Sequence, residues 1–465
     1  MNVYPVSDSR GFNPSTSCVE PVGYITRRSK PAFCRICYVL LLAAALPGGL
    51  FFAATPAKAQ TFSVLHTFAG FPNDGDNPEA GVLDLNGTLY GTTSLGGSGP
   101  CKSQGVSGCG IVYSMNTAGG NYKVLYNFKG GKDGYGPGLG TLISDGKGNL
   151  YGATVAGGTG TCKDETGVTG CGTVFKITTA GVETVIYSFQ GPSSSKKDGW
   201  APMGALVRDS AGNIYGSTAA GGSQKCADSS PYTGCGTVYK VTSAGVETIL
   251  YNFKGGTDGS FPFGGLVTDS AGNLYGTTTD EKDASEAGSV FKVTKSGTKT
   301  VLYRFTEANR INGVLPPAGL VIGSSDDLYG TASAGGVISN DICCGTVFNE
   351  LASGGNPTIL HDFVGGTTDG GEPVAALALA SSTLYGTTIA YGTDGAGVVF
   401  EVGTGGSGFK VLANINGTTD GADPYGTLAV DSKGNLYGTM LYGGNAKCVG
   451  ASGTPGCGTV FKVVP

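Results

Sequence analysis

The sequence predicts an all-β protein, a seven-bladed β-propeller with four antiparallel strands in each blade. Three observations lead to this prediction: a glycine-rich composition, a unit that recurs seven times, and chain ends that complement one another. Of the 465 residues, 84 are Gly, 14% are charged and 40% are hydrophobic. Disordered chains combine low hydrophobicity with high net charge, and glycines inside helices are unfavourable, so the composition favours short strands joined by tight turns.

The repeated unit contains recurring strings in a fixed order. The string Leu-Tyr-Gly, or Ile-Tyr-Gly once, recurs with its tyrosine at Tyr90, Tyr151, Tyr215, Tyr275, Tyr329, Tyr385 and Tyr437. A run similar to Gly-Thr-Val-Phe follows each copy, then a third apolar run, and finally an Asp-Gly-x-x-Pro turn with a Gly-x-Leu run. We label the predicted strands A (Gly-Leu-Val-Thr-Asp), B (Asn-Leu-Tyr-Gly-Thr-Thr), C (Gly-Thr-Val-Phe-Lys-Val) and D (Thr-Val-Leu-Tyr-Asn-Phe). Four short strands in each repeat are typical of a β-propeller.

The two ends of the repeated region complement each other. Residues 61–68 read as a strand D without a preceding A, B or C, whereas residues 458–465 read as a strand C without a following D. We therefore expect the N-terminal strand to pair into the last blade, which closes the ring and removes an exposed sheet edge.

Residues 1–59 differ from the rest and are predicted to be a signal peptide and leader. Basic residues precede the apolar run at 38–54, and a small-residue pattern predicts cleavage after Ala59. The alternative, a membrane anchor, needs about 20 uninterrupted apolar residues, but Pro and Gly interrupt the run at 47–49. We expect residues 60–465 to form a single propeller domain, secreted or periplasmic, without a membrane span after cleavage.

Ten cysteines follow the leader, in five close pairs. These are Cys101 and Cys109, Cys162 and Cys171, Cys226 and Cys235, Cys343 and Cys344, and Cys448 and Cys457. An even number of locally paired cysteines in an exported chain predicts disulfides. A zinc site would need Cys-x-x-Cys spacing or histidine partners, so we expect no such metal site and no cofactor. The adjacent Cys343 and Cys344 would need a strained bridge or would remain thiols.

Three of the recurring strings resemble the Gloeobacter/Verrucomicrobia ("GloVer") tandem repeat of exported bacterial proteins. They are Asp-Ser-x-Gly-Asn-Leu-Tyr-Gly-Thr-Thr, Gly-Cys-Gly-Thr-Val-Phe-Lys and Gly-x-Asp-Gly-x-x-Pro, and the resemblance covers roughly residues 61–465. The resemblance implies export, but no activity and no catalytic residues. Some relatives carry C-terminal surface anchors; this chain departs from that pattern, so we expect its release. The A–B portion is also similar to NHL-like and lactonase-like propellers, which implies architecture only.

Antiparallel strands place the B–C and D–A loops on one face, termed the B–C/D–A face, and these loops hold nearly all the sequence variation. Binding usually resides in variable loops on a rigid scaffold. The Asp-Gly-x-x-Pro segments carry Asp74, Asp133, Asp198, Asp258, Asn312, Asp369 and Asp420 at the first position. These side chains could form a cation-binding ring or bond their own turns. Asn312 favours the second interpretation, because it keeps turn chemistry and loses the charge.

Other residues of the D–A loops are the candidates for ligand binding. Acidic residues that depart from the repeat pattern, and that a closed ring would place side by side, are Asp76, Glu79, Glu372 and Asp423. Aromatic residues of the same loops, which could stack on a ligand or pack between blades, are Tyr135, Trp200, Phe261, Phe263 and Tyr425. We interpret His66 and His361 as structural, because they stand where other strands D have tyrosine.

We therefore expect an exported, non-catalytic and monomeric propeller that binds a polysaccharide or a surface or matrix protein through the B–C/D–A face. The alternatives are a hydrolase or lyase that uses carboxylates at the central mouth, and a structural envelope component. The net charge of −5 and the lack of a Lys/Arg-rich run after residue 59 argue against a nucleic-acid partner.

Overall fold

The computed structural model describes residues 60–465 except 104, 164–166, 224–225, 227–232, 280–286, 337–343, 445–446 and 450–454. The predicted signal peptide and leader, and Cys343, lie outside the described residues. Gln60–Pro465 is one compact unit. Within the described residues, no helix is both long and apolar enough to cross a membrane.

The described strands form seven antiparallel sheets of the order A-B-C-D, which confirms the predicted seven-bladed β-propeller. Strands A to D are Leu83–Leu85, Thr88–Thr93, Ile111–Asn116 and Lys123–Asn127 in blade 1, and Ile143–Ser144, Asn149–Ala156, Thr173–Thr178 and Glu183–Ser188 in blade 2. They are Val207–Arg208, Ile214–Thr218, Thr237–Val241 and Glu247–Asn252 in blade 3, and Val267–Thr268, Leu274–Thr278, Ser289–Val293 and Lys299–Arg304 in blade 4. They are Val321–Ile322, Asp327–Ala332, Thr346–Leu351 and Thr358–Asp362 in blade 5, and Ala378–Ala380, Thr383–Thr387, Val398–Gly403 and Lys410–Asn414 in blade 6. In blade 7 they are Ala429–Val430, Leu436–Met440, Thr459–Val464 and Thr61–Thr67.

Short strands on the B–C/D–A face extend this framework. The pairs formed between a D–A loop and the following B–C loop are Gly75–Asp76 with Leu95–Gly96, Gly199–Trp200 with Ala220–Gly221, and Gly370–Gly371 with Ala390–Tyr391. Tyr135–Pro137 pairs with the end of strand B in blade 2, and Lys102–Ser103 with Val106–Ser107. Short 3-10 helices lie at Gly131–Asp133, Gly256–Asp258 and Glu307–Asn312. The D–A loops are therefore held by backbone pairing to the blade that they enter.

The N-terminal strand closes the ring, as the chain ends predict. Thr61–Thr67 pairs antiparallel with strand C of blade 7, from Thr61 opposite Val464 to Thr67 opposite Thr459. Blade 7 also meets blade 1 at the innermost strands, where a Cβ atom on Gly81 would lie 2.0 Å from the carbonyl oxygen of Thr427. This close approach of two backbones requires glycine at position 81.

Aromatic pairs join neighbouring blades in the core. The phenylalanine that ends a strand D packs on the aromatic ring in strand C of the next blade, with ring centroids 4.9–5.4 Å apart, in Phe128–Phe175, Phe189–Tyr239, Phe253–Phe291, Phe305–Phe348, Phe363–Phe400 and Phe68–Tyr113. The last of these pairs joins blade 7 to blade 1. The phenylalanine two positions after the Tyr or His of strand D therefore connects each of these blades to its successor by edge-to-face or tilted contacts.

The opposite face is stereotyped because the A–B turns share one hydrogen-bonded motif. In blade 4, the carboxylate of Asp269 accepts the backbone N–H of Asn273 at 2.8 Å, its side-chain amide at 2.7 Å and the hydroxyl of Tyr275 at 3.0 Å. The same contacts recur around Asp209 and Asp431. The string Asp-Ser-x-Gly-Asn-Leu-Tyr is therefore a turn motif, and the tyrosine of Leu-Tyr-Gly is structural.

Candidate functional site

The D–A loops surround the entrance to the propeller axis. Strand A lies at one end of each four-stranded sheet, and successive strands A begin in close contact: Gly204 approaches Gly264, and Gly426 approaches Gly81. The innermost strands therefore encircle the axis, and the residues just before them lie around its opening on the B–C/D–A face. We term this opening the mouth.

One residue of each D–A loop has an unusual backbone conformation. It directly precedes the proline of Asp-Gly-x-x-Pro and has a φ of 54–63° in Asn77, Gly136, Ala201, Phe261, Leu315, Glu372 and Asp423. Positive φ is uncommon for residues with a Cβ atom, and such strain persists where surrounding structure imposes it. Hydrogen bonds hold this conformation at Glu372. Its N–H donates to the carbonyl of Cys344 in the preceding blade at 2.8 Å, and its carbonyl accepts the Ile389 N–H at 3.3 Å.

The residue after the proline forms a second layer of the mouth. In blades 1 and 7 its N–H donates to the carbonyl of the pre-proline residue, from Glu79 to Asn77 at 3.0 Å and from Tyr425 to Asp423 at 3.0 Å. In chain order, the post-proline residues are Glu79, Gly138, Met203, Phe263, Pro317, Val374 and Tyr425. Every blade except blade 2, which has glycine in both layers, therefore contributes two side chains to the mouth.

The composition of these layers changes around the ring. Blades 6, 7 and 1 contribute an acidic side, defined as Asp76, Asn77, Glu79, Glu372 and Asp423. Blades 3 to 5 contribute an apolar side, defined as Ala201, Met203, Phe261, Phe263, Leu315 and Pro317. The rings of Phe261 and Phe263 stack with centroids 6.2 Å apart. The mouth is therefore asymmetric, with carboxylates across from apolar side chains.

The structure brings the four predicted acidic residues together. Asp76 and Glu79 are buried, with 1% and 4% of their surface exposed, whereas Glu372 and Asp423 are half-buried. Electrostatic interactions link Glu79 to Asp76, and Glu372 to Asp423. Tyr442 is close enough to interact with three of these residues: burial, and then the charges of Asp423, Glu79 and Asp76, raise the pKa of its hydroxyl to about 12.

Burial makes these carboxylates unusually basic. It raises the pKa of Asp76 to about 7, although the Asn77 N–H favours the charged form, and it raises the pKa of Glu79 to about 7 with a further contribution from Asp76. Burial also raises the pKa of Glu372, which Asp423 repels, and that of Asp423. Near neutral pH, Asp76 and Glu79 therefore retain protons that exposed carboxylates would have released.

Polar atoms at the start of the acidic side lack partners. Among the described residues, Oδ1 of Asp76 and both Oδ1 and Nδ2 of Asn77 are buried without a hydrogen bond. A carboxylate oxygen of Asp76 also lies within 4.8 Å of the sulfurs of Cys448 and Cys457. Those two sulfurs are joined in a disulfide and are not metal ligands, so only the oxygen atoms of this group are available to a ligand.

The predicted aromatic candidates divide into two groups. Tyr135, Trp200 and Phe261 are buried, with 1%, 5% and 6% of their surface exposed, whereas Tyr425 is half-buried. The position of Tyr135 and Trp200 in their loops is that of Asp76 in blade 1, which faces the disulfide of the preceding blade. Stacking on a ligand requires an exposed ring face, which Tyr425 and Phe263 offer in part.

The first Asp of Asp-Gly-x-x-Pro bonds its own loop, as the turn interpretation predicts. Asp198 accepts the Tyr187 hydroxyl at 2.7 Å and the backbone N–H groups of Gln190 and Gly199 at 2.8 and 2.6 Å. The two histidines replace this tyrosine: His66 bonds Asp74 and His361 bonds Asp369, each at 3.2 Å. Asn312 keeps the contact by donating to the Tyr303 hydroxyl at 2.8 Å.

The predicted disulfides are present in four of the five pairs, namely Cys101–Cys109, Cys162–Cys171, Cys226–Cys235 and Cys448–Cys457. Cys344 is also disulfide-bonded; Cys343 of the fifth predicted pair lies outside the described residues. Each of the four bridges packs under a glycine of a D–A loop; a Cβ atom on Gly191 would lie 2.4 Å from Sγ of Cys162. The disulfides lie within the B–C loops and thus pack against the D–A loops that form the mouth.

Two residues near the predicted carboxylates, Asn77 and Tyr442, were not singled out by the sequence. Asn is a common residue in turns, so Asn77 does not stand out. Only alignment of the seven Asp-Gly-x-x-Pro segments shows that it shares a position with Glu372 and Asp423. Tyr442 follows strand B, where Ala156, Ala220 and other small residues stand in most copies. The signal in the sequence is that Tyr442 is bulky, whereas most copies of the repeat have a small residue at this position.

A model of the Gloeobacter/Verrucomicrobia repeat matches residues 43–225, 159–365 and 312–465. The chain belongs to this family. The resemblance predicted from the recurring strings is thereby confirmed. No curated protein matches the sequence.

The chain is also similar to solved structures of low identity. The polysaccharide lyase Uly1 has 10% identity and a TM-score of 0.48, with 83% of this chain and 90% of that chain covered. The oligogalacturonate lyase of Vibrio parahaemolyticus has 10% identity and a TM-score of 0.49, with 88% and 98% covered. A luciferin-regenerating enzyme has 14% identity and a TM-score of 0.41, with 77% and 99% covered.

Proposed function

We propose that this protein is an exported, non-catalytic β-propeller that binds a polysaccharide, or a surface or matrix protein, at the mouth of its B–C/D–A face. The observation that carries the proposal is the asymmetry of the mouth. Glu372 and Asp423 can accept hydrogen bonds from hydroxyl or amide groups of a ligand, whereas Phe263 and Tyr425 are half-buried rings that can cover an apolar ligand face. Sugar rings combine both kinds of surface.

The rigidity of the loops supports binding with little rearrangement. The pre-proline residues are fixed by hydrogen bonds to two blades, and disulfides hold the neighbouring B–C loops. Preorganised sites lose less conformational entropy when a ligand binds. Disulfides also belong to oxidising compartments, which agrees with the proposed cleavage after Ala59 and with a ligand outside the cytoplasm.

The test is a glycan array together with a pull-down from envelope extracts, using purified protein. The mouth variant carries Phe263→Ala and Tyr425→Ala, and the matched control carries Val182→Ala and Val246→Ala, two exposed residues of C–D turns on the opposite face. We expect the mouth variant to bind at least about tenfold more weakly and the control to bind as the wild type does. Equal binding by both variants, or no binding by the wild type, would overturn the proposal.

A second function, a hydrolase or lyase, is favoured by one specific observation. Asp76 and Glu79 interact and have pKa values of about 7, the range in which a carboxyl group can act as general acid or base. The test is incubation with polysaccharides, followed by measurement of new reducing ends and unsaturated products. Products that disappear in Asp76→Asn and Glu79→Gln would establish this function instead, and their absence with a ligand that binds would support the non-catalytic one.

A further inference from the structure

We propose that the acidic side of the mouth binds a divalent cation, Ca²⁺, through the carboxylates of Asp76 and Glu79 and the amide oxygen of Asn77. The proposal does not depend on the proposed function, because it concerns an ion and not a polysaccharide or protein ligand. It rests on buried polar atoms that have no hydrogen-bond partner among the described residues, and on the chemistry of the donor set.

The buried oxygen atoms are not required by the fold. The loop position of Asp76 is occupied in the other blades by Tyr135, Trp200, Ser260, Val314, Gly371 and Ala422. Burying a carboxylate oxygen without a hydrogen bond destabilises a protein. Asp76 nevertheless has 1% of its surface exposed and an unpartnered Oδ1. A bound cation would satisfy this atom, for which the described residues provide no hydrogen-bond partner.

Asn77 provides an independent observation of the same kind. Its side chain is fully buried, and neither Oδ1 nor Nδ2 has a hydrogen-bond partner among the described residues. Blade 2 has Gly136 at this position with the same positive φ, so the backbone conformation does not require an amide. Buried polar groups are normally hydrogen-bonded, and an amide oxygen is an ordinary calcium ligand.

The donor set selects the kind of cation. Carboxylate and amide oxygens suit hard ions, and Ca²⁺ takes six to eight oxygen ligands in flexible geometry, with water completing the sphere. Mg²⁺ demands a stricter octahedral arrangement. The only sulfur atoms found near Asp76 in the described residues belong to the Cys448–Cys457 disulfide, so a soft-metal site is not available there.

The experiment is isothermal titration of the purified exported protein with CaCl₂ after removal of metal by a chelator, accompanied by thermal unfolding. We expect one ion per chain, a dissociation constant at or below about 1 mM, as in extracellular modules, weaker binding of Mg²⁺, and a higher Tm with Ca²⁺. Asp76→Asn with Glu79→Gln should weaken calcium binding at least tenfold. Absence of heat and of any Tm change in the wild type at millimolar Ca²⁺ would overturn the proposal.

Two further variants keep the result interpretable. Glu350→Gln is the matched control, because Glu350 is also a buried acid with a pKa of about 7 and two unpartnered oxygens, but lies in strand C of blade 5. It should bind calcium as the wild type does. Asn77→Gly removes the amide while preserving the backbone, and should lower calcium affinity several-fold without lowering the Tm of the metal-free protein. Unchanged affinity in Asn77→Gly and in the double variant would also overturn the proposal.

Discussion

The hydroxyl of Thr439, in strand B of blade 7, donates a hydrogen bond to the carbonyl oxygen of Ala80, which leads into strand A of blade 1, over 2.9 Å. The same contact between successive blades is made by Ser217 to Gly264, Thr277 to Ala318, Thr331 to Ala375, and Thr387 to Pro424, over 2.7–3.2 Å. The hydrogen bond between blade 7 and blade 1, where the chain ends meet, is therefore of the same type as those between interior blades.

Thr439→Val tests this junction. The substitution removes the hydroxyl, leaves the Ala80 carbonyl without that donor, and should lower the free energy of unfolding by about 1–2 kcal/mol. Thr277→Val, at an interior junction with a 2.7 Å bond, is the matched comparison and should cost a similar amount. Both are measured by denaturant unfolding; a Thr439→Val protein as stable as the wild type would contradict the account of closure.

Glu350→Val should stabilise the protein. Glu350 is 1% exposed in strand C of blade 5, where the other blades have Met115, Ile177, Val241, Val293, Val402 and Val463. Neither carboxylate oxygen makes a hydrogen bond of good geometry, although the nearby Leu351 N–H slightly favours the charged form. We expect a gain of roughly 2 kcal/mol at pH 8 from removing this buried charge.

The gain should depend on pH. Burial raises the pKa of Glu350 from 4.5 to about 7, so between these values the native state holds a proton that the unfolded chain has released. The wild type consequently loses stability as the pH rises from about 4.5 to 7, and the loss is complete above that range. Unfolding measured at pH 4 and pH 8 should show a small difference between wild type and Glu350→Val at pH 4 and a large one at pH 8. Equal differences at both values would contradict the prediction.

Asp198→Ala should destabilise the protein by about 2–4 kcal/mol. The substitution removes the acceptor of the Tyr187 hydroxyl and of two backbone N–H groups in a fully buried site. Asp198→Asn is the matched control, because Asn312 fills the same position in blade 5, and it should cost clearly less. Thermal unfolding distinguishes the two, and equal losses would argue against a role as turn acceptor.

Removing a disulfide should loosen the loops around the mouth. Cys162→Ala with Cys171→Ala opens a ring whose cysteines are nine positions apart, and we expect a loss of about 2–3 kcal/mol from the loop-closure model. Because the bridge packs under Gly191, hydrogen exchange should also rise in the following D–A loop. The matched region is the disulfide-free B–C loop of blade 6, whose exchange should stay unchanged; faster exchange there as well would indicate general unfolding.

Much of the fold could be predicted from the sequence because its signals are local and repeated. The Asp269-x-x-x-Asn273 spacing predicts its own turn, and the leading strand at 61–68 predicts its pairing, since a strand D without a blade has one vacant partner. The acidic side could also be predicted, because a closed ring places the loops that contain Glu372, Asp423 and Asp76 next to each other.

The exposure of the loop aromatics could not be predicted in this way. Trp200 lies in a loop whose composition suits a surface, yet it is buried with 5% of its surface exposed. Its burial results from the folded structure and cannot be inferred from the composition of the loop. The roles of Asn77 and Tyr442 likewise depend on which side chains of other blades surround them, and a single repeat does not contain that information.

The central claim is that the mouth is the ligand-binding site, and hydrogen exchange of the purified protein with and without a ligand from the array tests it most directly. Protection is predicted in the D–A segments at 74–80, 258–264, 369–375 and 420–426, and unchanged exchange in the C–D turns of the opposite face. Protection confined to the C–D turns, or no protection at the mouth under saturating ligand, would contradict the claim.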